Sequence, residues 1–211
     1  MFAVLYYLFT KEMADHKKGQ SLSLEKIPAL PAPPNNVMII VLTDRVNDIS
    51  QEIYDSVIES MDRNLIQCDQ CSQCGFHING YYYKTIRTSR KIIKILIVQL
   101  ICPHCGRTHA VLLSSMIPWS SVQLKDAIRI VCAEDAETIR RIMDDDPNLS
   151  ENIIKRCRRS FLHEWKERLL SFFIRIDEHL TENCIKHHRR QFFQNRCSPI
   201  FLLRIDHIGW A

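Results

Sequence analysis

The chain has 211 residues, of which 46% are hydrophobic and 25% are charged. This composition is ordinary for a soluble globular protein and excludes wholesale disorder, and the length allows one compact domain or two small ones. Only 5 glycines are present, which argues against an all-β protein built on many tight turns. The formal net charge of +4 is only a weak indication of nucleic acid, because that inference needs the basic residues on one surface.

The cysteines and the N-terminal residues indicate the cellular compartment of the protein. There are 9 of them, and an odd number cannot all pair as disulfides. The apolar start, residues 1–9, lacks both a basic segment and a small-residue cleavage site, so it does not fit an export signal. It is also far shorter than the ~20 residues needed to span a bilayer. We therefore expect a cytoplasmic protein whose clustered cysteines bind metal.

The N-terminal region divides into two segments. Residues 1–37 are expected to form a flexible extension, because they combine a polar stretch with a proline-rich spacer and show no periodicity. Residues 38–65 are expected to form a strand followed by an amphipathic helix, since apolar residues recur at steps of three and four over residues 46–61. Either Met1 or Met38 can be the natural start.

Residues 66–117 are predicted to form a small zinc ribbon. Two runs rich in β-branched and aromatic residues, at 78–86 and 92–101, lie between two cysteine-rich segments. Each segment contains a C-x-x-C-G sequence, whose paired thiolates can hold one edge of a zinc tetrahedron. The glycine relieves crowding where the backbone turns around the metal. The predicted ligands of a structural, noncatalytic Zn²⁺ are Cys71, Cys74, Cys102 and Cys105.

Other assignments of this region stay open. Cys68 and Cys71 also have C-x-x-C spacing, but no glycine follows them, so we expect Cys68 to be a spare thiol. Iron could be held by the same four thiolates, although nothing in the sequence indicates electron transfer. The nearby histidines are expected to be exposed or hydrogen-bonded, because four cysteines already complete a site. They are His77, His104 and His109.

Residues 118–180 are predicted to be helical, with helices at about residues 120–132, 135–143 and 150–179. The first is expected to begin at a capping box, with Ser120 as the N-cap and Gln123 three residues later. The long third helix is expected to bury Ile154, Cys157, Phe161, Trp165, Leu169, Phe172 and Ile176.

The second and third helices have the dimensions of a helix-turn-helix motif. In such motifs the start of the second helix enters the major groove, where Arg, Asn and Lys contact base edges and phosphates. The residues predicted to contact DNA are Asn152, Lys155, Arg156 and Arg159. The alternative is a solvated basic face on a packing helix, and the position behind a zinc ribbon favours DNA binding.

The C-terminal tail, residues 181–211, has only weak periodicity. Four residues near its start could form a second metal site, but the paired spacing is missing, so a basic helix end is favoured. They are His179, Cys184, His187 and His188.

Several motifs resemble an uncharacterised zinc-ribbon family of Gram-positive bacteria. They are C-S-Q-C-G at residues 71–75, G-Y-Y at 80–82, C-P-H-C-G-R-T-H-A at 102–110 and I-P-W-S at 117–120. The family is in turn similar to the N-terminal zinc-ribbon and helix-turn-helix modules of insertion-sequence transposases. The resemblance covers about residues 66–200. It implies the four-cysteine ligand set given above and a DNA-binding role for the helices.

The chain departs from that family by its extra Cys68, its N-terminal extension and the lack of a recognisable transposase catalytic domain. The late acidic residues Asp177, Glu178, Glu182 and Asp206 have no predicted framework that would make them metal ligands of a nuclease. We therefore expect no enzyme, and an α+β fold with a zinc ribbon followed by a helix-turn-helix region. The predicted function is zinc-dependent binding of double-stranded DNA. The alternative is an adaptor that binds a protein partner or forms a homodimer through the ribbon and the long helix.

Overall fold

The computed structural model describes residues 36–43, 49–88, 91–195 and 200–205. Three predicted features lie wholly or partly outside this part of the chain. They are the flexible extension at 1–37, of which only the last two residues are described, the first residues of the helix predicted at 46–61, and Asp206. None of the helices it describes combines the length and the apolar composition needed to cross a lipid bilayer.

Five strands form one mixed sheet. They are β1 (Asn36–Leu42), β2 (His77–Arg87), β3 (Ile92–Ile101), β4 (Thr108–Leu113) and β5 (Ile200–Arg204). Their spatial order is β2-β3-β4-β1-β5. β2, β3 and β4 pair antiparallel, whereas β1 lies parallel to both β4 and β5. The two strands predicted for the ribbon are thus β2 and β3, and they belong to a larger sheet.

Six α-helices accompany this sheet in the described part of the chain. They are α1 (Gln51–Ser60), α2 (Leu124–Cys132), α3 (Ala136–Asp145), α4 (Glu151–Ser160), α5 (Lys166–Ser171) and α6 (Leu180–His188). A π-helical segment, Phe161–Trp165, joins α4 to α5 without a break. Helix α2 packs against both α3 and α4.

Helix α1 closes the gap between two diverging strands. The helix begins at Ser50, whose hydroxyl accepts a hydrogen bond from the Ile53 amide. The buried Tyr54 hydroxyl donates to the Val111 carbonyl and accepts from the Val98 amide, both at 2.9 Å. These two backbone groups lie beyond the last paired residues of β3 and β4, so the tyrosine satisfies polar groups that the sheet leaves unpaired.

Two hydrophobic clusters build the interior. One joins the sheet to α1 and includes Cys68 and Cys102, and the other lies among the helices around Trp165 and Phe192. Lys84 of β2 connects them, since its side chain is only 8% exposed and donates to the Ile117 carbonyl at 3.0 Å. Burial lowers the pKa of Lys84 to about 8.

The first predicted helix begins later than its capping box indicated. Helix α2 has Gln123 as its N-cap and starts at Leu124. The Ser120 hydroxyl accepts from the Val122 amide at 3.1 Å, so it stabilises a turn before the helix. The Gln123 side chain donates to the Arg87 carbonyl at the end of β2. Contact with the sheet therefore decides where this helix starts.

The predicted long third helix also ends earlier than expected. It runs through α4, the π-helical segment and α5 to Ser171, and not to residue 179. Phe173 takes a left-handed conformation with φ 54°, and the Ile174 amide donates back to the Leu169 carbonyl at 2.8 Å. These hydrogen bonds satisfy carbonyl groups of the last helical turn, as they do in helices that end at a left-handed glycine. Of the predicted inward residues, Phe172 is instead 48% exposed.

The C-terminal tail is more regular than its sequence indicated, because it contains most of α6 and all of β5. The described chain combines helices with a five-stranded sheet, as the predicted α+β class requires, and four of its cysteines lie close together. The zinc ribbon and the helix-turn-helix region stay predictions.

Candidate functional site

The first cysteine loop, Cys68 to Gln73, is closed by two backbone hydrogen bonds. The Cys68 amide donates to the Gln73 carbonyl, and the Ser72 amide donates to the Cys68 carbonyl, both at 2.8 Å. Ser72 has a left-handed backbone with φ 58°. The loop thus turns sharply directly after Cys71.

The second cysteine loop, between β3 and β4, repeats this pattern. The Cys102 amide donates to the Arg107 carbonyl, and the Gly106 amide donates to the Cys102 carbonyl, both at 2.9 Å. Gly106 is left-handed with φ 69°. In both loops the bonds join the first cysteine to the residues four and five positions later. Cys68 therefore corresponds to Cys102, and the second cysteine of the first loop to Cys105.

The two loops bring their sulfurs together as a four-cysteine group. It consists of Cys68, Cys71, Cys102 and Cys105, whose Sγ atoms all lie within 4.8 Å of one another. The Cys71 and Cys102 sulfurs are 3.5 Å apart, and the Cys68 and Cys105 sulfurs are 3.6 Å apart. Four thiolates around a tetrahedral zinc, with Zn–S bonds of about 2.3 Å, would have their sulfurs about 3.8 Å apart. The group is close to that geometry, and all four thiols are free.

The structure differs from the predicted ligand set at one position. Cys74 is exposed and pairs as an isolated β-bridge with Gln67, so it does not join the other three predicted ligands. Cys68, predicted to be a spare thiol, lies in its place. The glycine that favoured Cys74 in the sequence, Gly75, is also left-handed, with φ 93°. It lies between the first cysteine loop and β2, outside the hydrogen-bonded turn that carries the grouped sulfurs.

The first cysteine of each loop, Cys68 or Cys102, has a shifted thiol pKa, and the two shifts have opposite directions. Burial raises the pKa of Cys68 to about 12, although the Gln70 and Cys71 amides oppose that rise. At Cys102 burial also raises the pKa, but backbone amides and neighbouring sulfurs outweigh it and lower the pKa to about 7. A thiolate at Cys68 would therefore need a cation beside it, which a metal ion bound by the four sulfurs would supply.

A buried histidine lies behind the group. His109 is 1% exposed, and its Nε2 is 3.9 Å from the Cys68 sulfur. Its ring stands edge-on to Phe76 with centroids 4.8 Å apart. Burial lowers the pKa of His109 and so favours its neutral form. Asp69, Cys68 and His109 also lie close enough together to form a second small group of potential ligands.

The other predicted histidines are not part of a metal group in the described residues. His77 and His104 are exposed. The alternative metal site near residues 179–188, over which a basic helix end was favoured, does not form either. His188 Nε2 lies 3.1 Å from the Arg168 carbonyl oxygen, and the His187 ring stacks on Phe172.

The predicted DNA contacts share one surface of α4. Asn152, Lys155, Arg156 and Arg159 are all exposed. Ile153, Ile154 and Cys157 are buried and attach the opposite side of the helix to the helical core. Within the surface, Lys155 forms an ion pair with Glu151 at 2.6 Å, whereas no ion pair of Arg156 or Arg159 is found among the described residues.

The end of β2 holds the turn that precedes α4. The Arg87 guanidinium donates to the Asn148 carbonyl at 3.4 Å, and the Asn148 side chain donates to the Thr88 carbonyl at 3.0 Å. The Arg87 side chain also donates to the Ser121 hydroxyl at 3.2 Å. The hairpin that carries the cysteine loops at one end therefore positions α4 at its other end. No local sequence pattern indicates this connection, because Asn148 lies about 60 residues from its partners Arg87 and Thr88.

Three late acidic residues, Asp177, Glu178 and Glu182, line a cleft of about 350 Å³ at the carboxyl ends of β1, β4 and β5. Arg204 forms an ion pair with Glu182 there. In the described part of the chain these carboxylates do not converge into a metal-binding group.

Comparisons of the chain with protein-family models, with curated proteins and with solved structures give no significant match. The resemblance to a bacterial zinc-ribbon family therefore stays a hypothesis, and the function has to be argued from the geometry above.

Proposed function

We propose that the chain is a zinc-dependent DNA-binding protein, regulatory or transposase-related. Zinc is held by Cys68, Cys71, Cys102 and Cys105, and duplex DNA is bound by the exposed surface of α4. The observation that carries the proposal is the convergence of four sulfurs at one end of a hairpin whose other end holds α4.

Zinc is the metal that this donor set favours. Two short loops with thiolates in tetrahedral reach of one another are typical of structural zinc sites, and four sulfurs leave no open position for a substrate or water. The site is therefore structural. Elemental analysis of the purified chain decides the identity: one zinc per chain supports the proposal, and stoichiometric iron contradicts it.

Duplex binding is supported by the chemistry and position of the α4 surface. The helix carries four cationic side chains, Lys155, Arg156, Arg158 and Arg159, against one carboxylate. It follows α3 after a five-residue connection, residues 146–150, and packs on α2, so its first turns project from a three-helix unit. Arginine can bind guanine and asparagine can bind adenine in a bidentate way, and lysine neutralises phosphates.

The experiment is selection of bound sites from random duplexes, followed by titration of variants at several salt concentrations. Arg159→Ala should weaken the preferred site by roughly 1–3 kcal/mol and relax the choice of one base if Arg159 reads a base edge. Lys155→Ala should weaken all duplexes about equally and lower the salt slope by about one unit.

Arg140→Ala is the matched control, because Arg140 is an exposed arginine on α3 that is paired with Glu137 and lies off the α4 surface. It removes the same charge without removing a proposed contact. If the parent chain enriches no sequence and the α4 variants bind duplex as well as it does, the α4 surface is only solvated and DNA binding is refuted.

A protein-interaction adaptor is the second candidate, and one observation favours it. Large apolar side chains are exposed near the end of the long helical region: Leu162 at 58%, Phe172 at 48% and Phe173 at 72%. Binding through such a surface should be insensitive to salt, unlike DNA binding. A double variant, Leu162→Ser with Phe173→Ser, that keeps DNA affinity but loses a protein partner would support the adaptor.

A further inference from the structure

A cleft of about 300 Å³ opens between α4 and the loop that precedes α2. Its floor is apolar and includes Ile117, Val122 and Phe193. The more polar side chains on its walls are Trp119, Ser120, Ser121, Arg156, Ser160 and Asn195. No acidic residue lines it among the described residues, so its only formal charge there is the positive one of Arg156. An apolar floor below a single cation suits a flat ring that carries an anionic group.

The loop holds Trp119 at the mouth of this cleft. Trp119 is 51% exposed and has a left-handed backbone with φ 64°, a conformation that bulky residues rarely adopt. The buried Lys84 ammonium fixes the loop from below, donating to the Ile117 carbonyl at 3.0 Å and to the Ser120 carbonyl at 2.7 Å. The Ser120 amide also donates to the Ile117 carbonyl at 3.2 Å. Strained residues that are held so firmly are typical of ligand-binding positions.

The opposite wall belongs to α4. Arg156 lies on the exposed surface of that helix and also lines the cleft. Ser160 lies one turn further along α4, and its hydroxyl is 3.3 Å from the carboxamide oxygen of Asn195, which follows α6 in the chain. An aromatic ring and a guanidinium thus face the same small space from two different elements.

We propose that this cleft binds one unstacked nucleotide of a DNA strand, with its base on the Trp119 ring and its phosphate at Arg156. Indole rings stack on any base, because every base has a π-face. A guanidinium matches the geometry of phosphate oxygens and binds them in a bidentate way. The volume lies at the small end of ligand sites, which suits a single nucleotide. This inference rests on the proposed DNA binding and extends it, since Arg156 then contacts phosphate and leaves Asn152 and Arg159 for base edges.

The proposal predicts a preference that α4 alone would not produce. A base inside an intact duplex is stacked and paired, so it cannot reach Trp119 until it is extruded. Extrusion is easiest at a mismatch, at an unpaired nucleotide or in a single strand. The chain should therefore bind a duplex that contains one unpaired nucleotide more tightly than the same duplex fully paired.

The test compares three probes at one salt concentration: a single-stranded octanucleotide, a duplex with one unpaired nucleotide, and the same duplex fully paired. The parent chain should prefer the first two, and binding should quench tryptophan fluorescence. Trp119→Ala should remove that preference, a loss of roughly 10- to 100-fold, and leave the fully paired duplex unaffected. Trp119→Phe should restore most of it, because a smaller ring still stacks.

Two further variants separate binding from folding. Trp119→Gly suits the left-handed backbone, so it should unfold at the parent's temperature or above and still lose the preference. Phe173→Ala truncates another exposed aromatic ring, which lies outside the cleft, and should keep it. If the parent binds the paired and the unpaired duplex equally, or Trp119→Gly keeps the preference, the cleft proposal is overturned while duplex binding by α4 stands. If the parent binds no duplex at all, it is the proposed function that fails.

Discussion

Replacement of Cys68 by serine is the sharpest test of the ligand set. The two cysteine loops share their hydrogen bonds and have a left-handed residue four positions after the first cysteine, and this equivalence puts the Cys68 sulfur at a corner of the tetrahedron. Cys74 is exposed and lies outside the four-cysteine group. We therefore expect Cys68→Ser to damage the metal site and Cys74→Ser to leave it intact.

The size of the effect follows from the number of ligands. Cys68 supplies one of four sulfurs, 3.6 Å from the Cys105 sulfur, and a serine hydroxyl is a poor substitute for a thiolate. Loss of a residue that merely supports a ligand costs ~10- to 100-fold in metal affinity. Loss of the ligand itself should exceed that, so we expect zinc affinity to fall by more than about 100-fold, or about 3 kcal/mol.

The assay is competition for zinc with a chelator of known affinity, together with the absorption of the cobalt-substituted chain. Sulfur-to-cobalt absorption should fall by roughly a quarter in Cys68→Ser, one thiolate of four, and stay unchanged in Cys74→Ser. If Cys74→Ser loses the metal and Cys68→Ser keeps it, the register inferred from the hydrogen bonds is wrong. The glycine-marked pair would then hold the ion.

Three other outcomes are expected. His109→Phe should lower zinc affinity ~10- to 100-fold in the same competition while keeping one zinc per chain, because the imidazole Nε2 beside the Cys68 sulfur is lost; unchanged affinity would remove His109 from the site. In thermal unfolding of the metal-bound chain, Ser72→Gly should raise the free energy of unfolding and Gly106→Ala should lower it, each by about 1 kcal/mol, because both positions have a left-handed backbone. Changes in the same direction for both variants would contradict this. The last outcome concerns the difference in the free energy of unfolding between the parent and Lys84→Met. It should rise by up to about 3 kcal/mol between pH 8 and pH 10.5, because in that range Lys84 holds its proton only in the unfolded chain. A difference that does not change with pH would show that the pKa of Lys84 is not lowered in the folded chain.

The hairpin could be predicted from the sequence because its signals are local. Alternating β-branched and aromatic residues indicated β2 and β3, and C-x-x-C spacing indicated three of the four grouped cysteines. The fourth could not be chosen, since Cys68/Cys71 and Cys71/Cys74 have the same spacing. The glycine rule selected Cys74, but Ser72 adopts the left-handed turn that was reserved for glycine.

The sheet could not be predicted because its pairings are distant in sequence. β1 lies between β4 and β5, whose partner residues are about 70 and about 160 positions away. β5 is a five-residue strand with an apolar sequence, which on its own does not distinguish a strand from a short buried segment.

The extent of the long helix was overestimated for a similar reason. Apolar residues continue at helical spacing through Phe172 and Ile176, and no glycine or proline marks an end. The helix stops because Phe173 adopts a left-handed backbone that returns hydrogen bonds to the last turn. The burial of α4 on one side only was predicted correctly at Ile154 and Cys157, where apolar periodicity is strongest.

The dependence of DNA binding on the metal tests the account most directly. The cysteine loops and the turn before α4 lie at opposite ends of one hairpin, so removal of the ion should release the hairpin and with it the position of α4. Duplex affinity should be measured on one preparation as isolated, after zinc is removed by a chelator, and after one equivalent of zinc is returned. We predict that salt-sensitive, sequence-selective binding is lost on removal and recovered on return. A zinc-free chain that binds the same duplex with the same affinity and salt dependence would contradict the account.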